Sequence, residues 1–305
     1  MKSFVLGTSG LKVSEVSLGC MRISGMEAAA ADNLIRSAWE SGINFFDHAD
    51  IYGGGKSETV FAQSVARLGL KRSDLILQSK CGICQGYFDF SKEHILEAVE
   101  GSLRRLQTDH LDVLLLHRPD TLVEPEEVAA AFDSLLQAGK VRHFGVSNQN
   151  SSQIELLQAS VRQKLQANQL QLSITNTGMI DQGLNVNMKI DRTIDRDGGI
   201  LEYCRLKQMT IQPWSPLQHG FFKGVFLDNP QFPELNKVID AMAKTYNVSN
   251  LTIAIAWLLR HPARMQPIVG TTNPERVKQA ALASQVLLTR PQWYEIYRAA
   301  GNTLP

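Results

Sequence analysis

The chain has 305 residues, of which 44% are apolar and 20% charged, and its formal net charge is +1 at pH 7. This composition is that of an ordinary globular protein, and the near-neutral charge provides no basic field for nucleic acid or an anionic membrane. No apolar run approaches the roughly 18–20 residues of a membrane-spanning helix, and the N-terminal residues lack the apolar stretch of a signal peptide. We therefore expect a cytoplasmic protein, and the oligomeric state stays open.

Short apolar runs alternate with amphipathic segments along nearly the whole chain. A β-hairpin is predicted first, with apolar residues 4–6 and 11–13 on either side of a turn at 7–10. Eight strands then follow, at residues 16–19, 44–46, 75–78, 112–116, 142–146, 167–172, 210–213 and 266–269. Helices are predicted at residues 27–39, 57–67, 93–106, 125–138, 153–165, 234–246 and 251–259, and Ser57, Ser91 and Ser151 are expected N-caps.

Eight strand–helix units without a Pro/Gly/Ser-rich linker indicate an α/β fold. The predicted architecture is one (β/α)8 TIM barrel domain over residues 1–305, with an N-terminal β-hairpin. A doubly wound open sheet is the alternative that this pattern leaves open. The longest irregular stretch, residues 176–199, is rich in Asn, Asp and Gly and follows the sixth strand. A loop that covers the substrate is expected there.

Four polar residues lie at or just beyond the ends of successive predicted strands. Asp47 and Tyr52 follow the second strand, Lys80 follows the third and His117 follows the fourth. Because the carboxyl ends of parallel strands converge on one pocket, we expect these side chains to meet. Each residue alone has an ordinary explanation as a cap, a strand end or a packing residue. Their joint occurrence favours a catalytic group.

These four side chains form a coherent set for proton transfer to a carbonyl. A phenol titrates near pH 10, so Tyr52 is a weak acid at neutral pH unless its anion is stabilised. A nearby ammonium favours the phenolate, which gives Lys80 the role of activator. Asp47 would keep Lys80 protonated and fixed in place, and His117 would donate a hydrogen bond to the substrate oxygen.

The same residues lie in sequence blocks that resemble the aldo-keto reductase family. The blocks are Phe-Asp-His-Ala-Asp-Ile-Tyr-Gly at 46–53, Gln-Ser-Lys at 78–80, Leu-Leu-His-Arg-Pro-Asp at 115–120, Gly-Lys-Val-Arg at 139–142, Gly-Val-Ser-Asn at 145–148, Trp-Ser-Pro-Leu at 214–217 and Ile-Val-Gly-Thr-Thr at 268–272. They occur in order over nearly the whole chain and look closest to the bacterial oxidoreductase branch. The resemblance implies a barrel that reduces an aldehyde or ketone, with hydride from a reduced nicotinamide and a proton from Tyr52.

The resemblance also implies which residues bind the cofactor, NADP(H). Ser147, Asn148 and Gln169 would hold the nicotinamide amide, and Trp214 would stack on the ring where the family usually has a tyrosine. The full implied set is Gly19, Met21, Arg22, Asp47, Ser147, Asn148, Gln169, Trp214, Ser215, Pro216, Leu217, Gly270, Thr271, Thr272, Arg276 and Gln279.

The adenine end of this implied site departs from the family in part. Residues 271–276 predict the start of a helix, with Thr272 or Asn273 as the cap. Free N–H groups at a helix N-terminus suit a phosphate, and Arg276 could bind the additional ribose phosphate that distinguishes NADP from NAD. Gly270 stands where the family often has a basic residue, and Gln279 replaces part of an acid–amide pair. NADP(H) is favoured because Arg276 is present.

Other motifs suggest different chemistry. The Gly-Gly-Gly-Lys-Ser stretch at 53–57 imitates a phosphate loop but lacks its first glycine, and no G-x-G-x-x-G follows a strand. Cys81 and Cys84 have the spacing of a redox pair, but two reduced thiols are the favoured interpretation. Four cysteines are too few for a disulfide framework. No metal site is expected, because His94 and His110 do not supply an obvious zinc-binding pair.

The predicted function is therefore an NADPH-dependent aldo-keto reductase that acts on a small carbonyl compound. Two alternatives are a cofactor-binding regulatory subunit, since some family relatives are auxiliary subunits of potassium channels, and a Schiff-base lyase with Lys80 as nucleophile. Substrate choice is expected to depend on residues 83–90, 176–199 and 287–305. Trp293, Tyr294 and Tyr297 are expected to pack the last helix against the barrel rather than to line the pocket.

Overall fold

Eight parallel strands form a barrel with helices on its outside in the computed structural model, which describes residues 1–305. The barrel strands are β3 (Ser17–Gly19), β4 (Phe45–Asp47), β5 (Ile76–Cys81), β6 (Leu111–Leu116), β7 (Val141–Ser147), β8 (Leu165–Gln171), β9 (Thr210–Trp214) and β10 (Ile268–Val269). Each pairs with the next from β3 to β9, and β10 pairs with β3. A parallel bridge between Ile211 and Met265 joins the two ends. The predicted (β/α)8 barrel is confirmed and the doubly wound sheet is excluded.

Eleven α-helices accompany the strands. They are α1 (Ala28–Glu40), α2 (Lys56–Leu68), α3 (Lys92–Leu106), α4 (Pro125–Gln137), α5 (Ser151–Gln158), α6 (Gly178–Leu184), α7 (Ile200–Lys207), α8 (Pro233–Tyr246), α9 (Asn250–Leu259), α10 (Pro274–Leu282) and α11 (Arg290–Ala299). None of them is long and apolar enough to cross a membrane.

Side chains of the strands alternate between the barrel interior and the surrounding helices, as the period of two residues in a strand requires. In β6, Val113 and Leu115 belong to a small inner cluster, whereas Leu114 and Leu116 belong to the large outer core. The outer core lies between the strands and the helices and contains most of the buried apolar side chains. The apolar runs in the sequence are therefore buried on both faces, as is typical of parallel strands.

The predicted N-terminal hairpin is present and closes the amino end of the barrel. Its strands β1 (Ser3–Val5) and β2 (Lys12–Ser14) are antiparallel. Leu6 and Val13 pack in the inner cluster, and the N–H of Gly7 donates to Thr210 Oγ1 at 2.9 Å. Since the hairpin covers this end, the opposite end, where the strands have their carboxyl termini, is left for a ligand.

Two predicted helix caps are wrong because both helices begin earlier than predicted. Gly55 precedes α2, and Ser57 lies inside the helix, where its hydroxyl donates to the Met21 carbonyl at 3.2 Å. Asn150 caps α5 and forms a reciprocal capping box with the third helical residue. The predicted Ser91 cap of α3 is confirmed, since Ser91 Oγ accepts the N–H of His94.

Other differences concern where elements end and which helices were missed. The helix predicted at 153–165 is too long, because Leu165 already begins β8. The stretch 176–199, predicted to be irregular, contains α6, and α7, α10 and α11 were also not delimited. Trp293 and Tyr297 of α11 are buried in the outer core, which confirms the expected packing of the last helix.

The backbone conformation, rather than phosphate binding, explains why glycines occupy residues 53–55. Gly53, Gly54 and Gly55 have φ values of 60°, 64° and 88°. This left-handed region is costly for residues with a Cβ atom. The three glycines thus allow the chain to turn sharply after β4 and enter α2.

Candidate active site

Strand alternation brings three of the four predicted polar residues into the barrel mouth. Asp47 lies two residues after the inward Phe45, and His117 lies two residues after the inward Leu115. Lys80 lies four residues after the inward Ile76. Lys80 is not beyond its strand, as predicted, but inside β5, because its backbone pairs with Leu115 of β6. All three side chains therefore point to the same end of the interior.

Lys80 is fully buried, and its ammonium group has three oxygen partners. Lys80 Nζ donates to Asp47 Oδ2 at 2.8 Å, to the His48 carbonyl at 2.7 Å and to Tyr52 Oη at 3.1 Å. Burial acts to lower the pKa of Lys80, but the interactions with Asp47 and Tyr52 outweigh it and leave this pKa above its ordinary value. Lys80 is thus held as a cation against the phenol oxygen.

Tyr52 reaches Lys80 from the turn between β4 and α2. Burial raises the pKa of the Tyr52 phenol above its ordinary value, although the ammonium of Lys80 acts in the opposite direction. Lys80 therefore lowers the pKa of Tyr52, as expected, but the opposite effect of burial is larger. The phenol is protonated at neutral pH, which is the form that can donate a proton.

His117 faces Tyr52 across the mouth of the barrel. Their ring centroids are 5.9 Å apart with an interplanar angle of 80°. Burial, together with the positive charges of Lys80 and Arg118, lowers the pKa of His117 well below its ordinary value. A neutral imidazole can donate one hydrogen bond to a carbonyl oxygen but is a poor proton source. His117 and Tyr52 therefore differ in what they can donate at neutral pH.

A network of glutamine amides fixes Asp47 by hydrogen bonds. Asp47 Oδ1 accepts Nε2 of Gln78 at 2.6 Å and Nε2 of Gln169 at 3.0 Å. Both amides also donate to Gln212 Oε1, and Gln212 in turn donates to Gln266. The buried carboxylate is thereby fully hydrogen-bonded, which a buried charge requires. Sequence analysis singled out Gln169 alone among these four glutamines.

A cleft of about 630 Å³ opens above this centre at the carboxyl ends of the strands. It brings together nearly all the residues predicted to bind a cofactor. The predicted residues that line it are Gly19, Met21, Arg22, Asp47, Tyr52, His117, Ser147, Asn148, Gln169, Trp214, Ser215, Pro216, Leu217, Gly270, Thr271, Arg276 and Gln279. Lys80 lies behind Asp47 and Tyr52, and the exposed Thr272 is outside the lining.

The predicted amide-binding residues are already ordered by bonds to one another. Trp214 Nε1 donates to Asn148 Oδ1 at 2.9 Å, and Asn148 Nδ2 donates to Ser147 Oγ at 2.7 Å. Gln169 uses its Nε2 for Asp47 and Gln212, while its Oε1 accepts no hydrogen bond from the protein. An acceptor for an amide N–H therefore faces the cleft.

The start of α10 differs from the prediction in one respect. Asn273 is the cap, as expected, and its Oδ1 accepts the N–H groups of Glu275 and Arg276. Pro274 has no N–H, and the N–H of Val277 donates to the Asn273 carbonyl. The free N–H groups predicted here are thus already satisfied within the protein. A phosphate at this end would therefore contact side chains such as that of Arg276 rather than free N–H groups of the first turn of α10.

Sequence analysis missed several residues that line the cleft on the side of Trp214. Arg118 is half-buried, has no carboxylate partner and lies 5.7 Å from the Trp214 ring centroid. Phe222 lies nearly parallel to Trp214, with centroids 6.1 Å apart. Arg118 directly follows His117, so its position beside a catalytic candidate was the available signal. Phe222 lies in a long loop and gave no signal.

The loop after β4 also buries a carboxyl group whose ionisation opposes folding. Burial and the neighbouring Glu58 raise the pKa of Asp50 from 3.8 to about 7. Between these pH values the native state binds more protons than the unfolded state, so stability falls as the pH rises.

We expect Asp50→Asn to raise the free energy of unfolding above about pH 7, by up to about 4 kcal/mol, and far less near pH 4. Denaturant titrations of both proteins across this range check it, and a variant less stable than the parent at pH 8 would contradict it.

Comparison with known proteins agrees with this geometry. A barrel with a buried Asp–Lys pair, a phenol and an imidazole at its mouth has the groups that acid–base chemistry requires. The model of the aldo/keto reductase family matches residues 15–300, and the chain belongs to this family of oxidoreductases. The oxidoreductase YcsN of Bacillus subtilis is 35% identical over 97% of both chains, and a 6-dehydroglucose reductase of Agrobacterium fabrum is 33% identical over 95% of both. A thermostable aldo-keto reductase solved with the inhibitor epalrestat shares the fold, with a TM-score of 0.80 and 23% identity over 98% of this chain and all of that one.

Proposed function

We propose that the protein reduces an aldehyde or ketone with NADPH, and that Tyr52 donates the proton to the carbonyl oxygen. The observation that carries this proposal is the contact between Tyr52 Oη and the buried ammonium of Lys80 at the floor of the cleft. A reduced nicotinamide, when bound in the cleft, supplies the hydride. The experiment that tests the proposal is turnover of carbonyl compounds by wild type and Tyr52→Phe.

The cleft suits a dinucleotide phosphate in both shape and charge. Its volume falls in the range of small-molecule sites. Arg22, Arg118 and Arg276 line it, and none of the three forms an ion pair within the protein. Unpaired cations in a cleft favour anionic ligands. Gln169 Oε1 and the ring of Trp214 provide an acceptor and an aromatic surface near the catalytic centre.

Tyr52 and the residues around it have different roles at the substrate oxygen. His117, as a neutral imidazole, donates a hydrogen bond that orients the carbonyl, and Tyr52 transfers its proton as negative charge develops on that oxygen. Lys80 stabilises the resulting phenolate, and Asp47 keeps Lys80 charged. Because Lys80 is held as a cation, we do not propose the Schiff-base lyase reaction, which requires a neutral amine.

We expect Arg276→Ala to weaken NADPH binding by roughly 10- to 100-fold and to change NADH binding little. A charge-assisted bond to phosphate contributes about 1.5–3 kcal/mol, and only NADPH carries the additional ribose phosphate. Isothermal titration with each cofactor measures the effect. Lys278→Ala is the matched control, since Lys278 lies on the same helix and pairs with Glu275. Equal losses for the two cofactors would show that Arg276 does not bind that phosphate.

The proposed substrate preference is based on Arg118, which lines the cleft next to His117. We propose that carbonyl compounds with an anionic group are favoured substrates. Arg118→Met is expected to raise KM for para-carboxybenzaldehyde by roughly 10- to 100-fold and to leave KM for para-methylbenzaldehyde nearly unchanged. Steady-state kinetics with this pair of substrates measures it. A similar change for both aldehydes would assign Arg118 to packing against Trp214.

We also propose a cytoplasmic location, which would supply NADPH to the cleft. Cell fractionation with antibodies against the protein tests this location. Recovery of the protein outside the cytoplasmic fraction would contradict it.

A further inference from the structure

A cluster of three metal-binding side chains lies beside the cleft, outside the residues that line it. Cys84, Asp89 and His94 each offer one ligand atom, and these atoms lie within 4.8 Å of one another. Cys84 Sγ is 3.8 Å from His94 Nε2 and 4.0 Å from His94 Nδ1. Sulfur and nitrogen ligands of one tetrahedral zinc ion are roughly 3.6 Å apart, given the usual bond lengths. A small side-chain rotation would therefore bring these groups to coordinating distance.

The loop that carries Cys84 and Asp89 is a tight hairpin held by its own backbone. The N–H of Cys84 donates to the Tyr87 carbonyl at 2.9 Å, and the N–H of Asp89 donates to the Gly82 carbonyl at 3.0 Å. The next residue, Phe90, is buried in the outer core and anchors the end of the hairpin. Two of the three ligands are thus positioned by backbone structure rather than by flexible side chains alone.

The third ligand comes from the first turn of α3, which the same segment caps. Ser91 Oγ accepts the N–H of His94, and Asp89 Oδ1 accepts the N–H of Ser91 at 2.8 Å. Asp89 Oδ2 has no hydrogen bond, and no lysine or arginine pairs with this carboxylate. One carboxylate oxygen is oriented by the backbone while the other is available, which is how ligating carboxylates are usually held.

The donor set selects the class of metal. One thiolate, one imidazole and one carboxylate suit zinc and similar divalent transition metals, whereas calcium and magnesium take oxygen ligands only. All three residues are partly exposed, so water can complete a fourth position. Binding would release the thiol proton of Cys84 to the solvent.

We propose that Cys84, Asp89 and His94 form a binding site for a zinc-class divalent cation. The site is separate from the reductase centre and does not depend on the proposed reaction. Ile83, which lines the cleft, lies directly before Cys84 in the chain. A bound cation would therefore fix one wall of the cleft to α3. The prediction of no metal site considered His94 only with His110, because the proximity of His94 to Cys84 depends on the hairpin and the start of α3 together.

The test is a titration of the chelator-treated full-length protein with Co²⁺ and with Zn²⁺. We expect one Co²⁺ per chain with a thiolate-to-metal charge-transfer band, displaced by one equivalent of Zn²⁺, and a higher Tm with Zn²⁺ bound. Cys84→Ser should remove the band, and His94→Gln and Asp89→Asn should each weaken binding at least about 10-fold. Cys204→Ala is the control, since Cys204 is a buried thiol elsewhere in the outer core.

Two results would overturn the proposal. One is the absence of stoichiometric binding of either ion at micromolar concentrations. The other is binding that survives in Cys84→Ser and His94→Gln while both variants keep the Tm of the metal-free parent. Because the three residues are partly exposed, these variants are expected to fold, and that Tm comparison verifies it.

Discussion

Replacing Tyr52 with phenylalanine is expected to reduce turnover by roughly 10²- to 10⁴-fold while leaving NADPH binding intact. The substitution removes only the phenol oxygen, which is 3.1 Å from Lys80 Nζ. Loss of a positioned general acid has an effect of this size. The ring itself stays, so its packing against His117 and the shape of the cleft are kept. Steady-state kinetics for turnover and a fluorescence titration for cofactor binding separate the two effects.

Tyr87→Phe is the matched control for this variant. Tyr87 is exposed on the hairpin beside the cleft and does not line it. Its substitution should therefore leave both turnover and binding unchanged. Near-normal turnover in Tyr52→Phe would overturn the assignment of Tyr52 as proton donor, whereas loss of cofactor binding would place Tyr52 in the cofactor site instead.

Replacing Lys80 with methionine is expected to reduce turnover by about 10²-fold or more and to destabilise the protein by about 3–5 kcal/mol. Lys80 is fully buried and is bonded to Asp47 at 2.8 Å. Without its partner, Asp47 becomes a buried carboxylate with no compensating positive charge. The phenolate of Tyr52 also loses the cation that stabilises it. Denaturant unfolding and turnover measure the two effects separately.

A double variant distinguishes these two roles of Lys80. In Asp47→Asn/Lys80→Met the charge is removed from both partners, so most of the lost stability should return while turnover stays low. Lys207→Met is the surface control, because Lys207 and Glu155 form an exposed ion pair. That variant should lose less than about 1 kcal/mol. A double variant as unstable as Lys80→Met would show that the buried charge of Asp47 is not the cause.

Strand alternation explains why the sequence could predict that these polar side chains lie close together. Asp47, Lys80 and His117 each share the inward direction of an apolar residue two or four positions earlier, and this direction follows from local geometry. The error for Lys80 was confined to the end of its strand. The barrel itself followed from eight apolar runs spaced by amphipathic segments.

What the sequence did not predict depends on contacts between distant segments. The start of α10 looked like a phosphate site, but Asn273 satisfies the N–H groups that such a site needs. Gln212 lies in β9 and Gln266 lies just before β10, and only barrel closure places them in one network with Gln78. Phe222 reaches Trp214 from a loop whose path no local pattern specifies. Tertiary packing decides all of these positions.

In the proposed function, the cleft binds a reduced nicotinamide dinucleotide against Trp214 and Tyr52, with NADPH preferred over NADH. A titration of the purified protein with NADPH and then with NADH, followed by tryptophan fluorescence, tests it most directly. We expect saturable quenching by both cofactors, tighter for NADPH, and much weaker quenching in Trp214→Phe because that indole lines the cleft. The absence of saturable quenching by either cofactor would overturn the proposal that this cleft binds a nicotinamide dinucleotide.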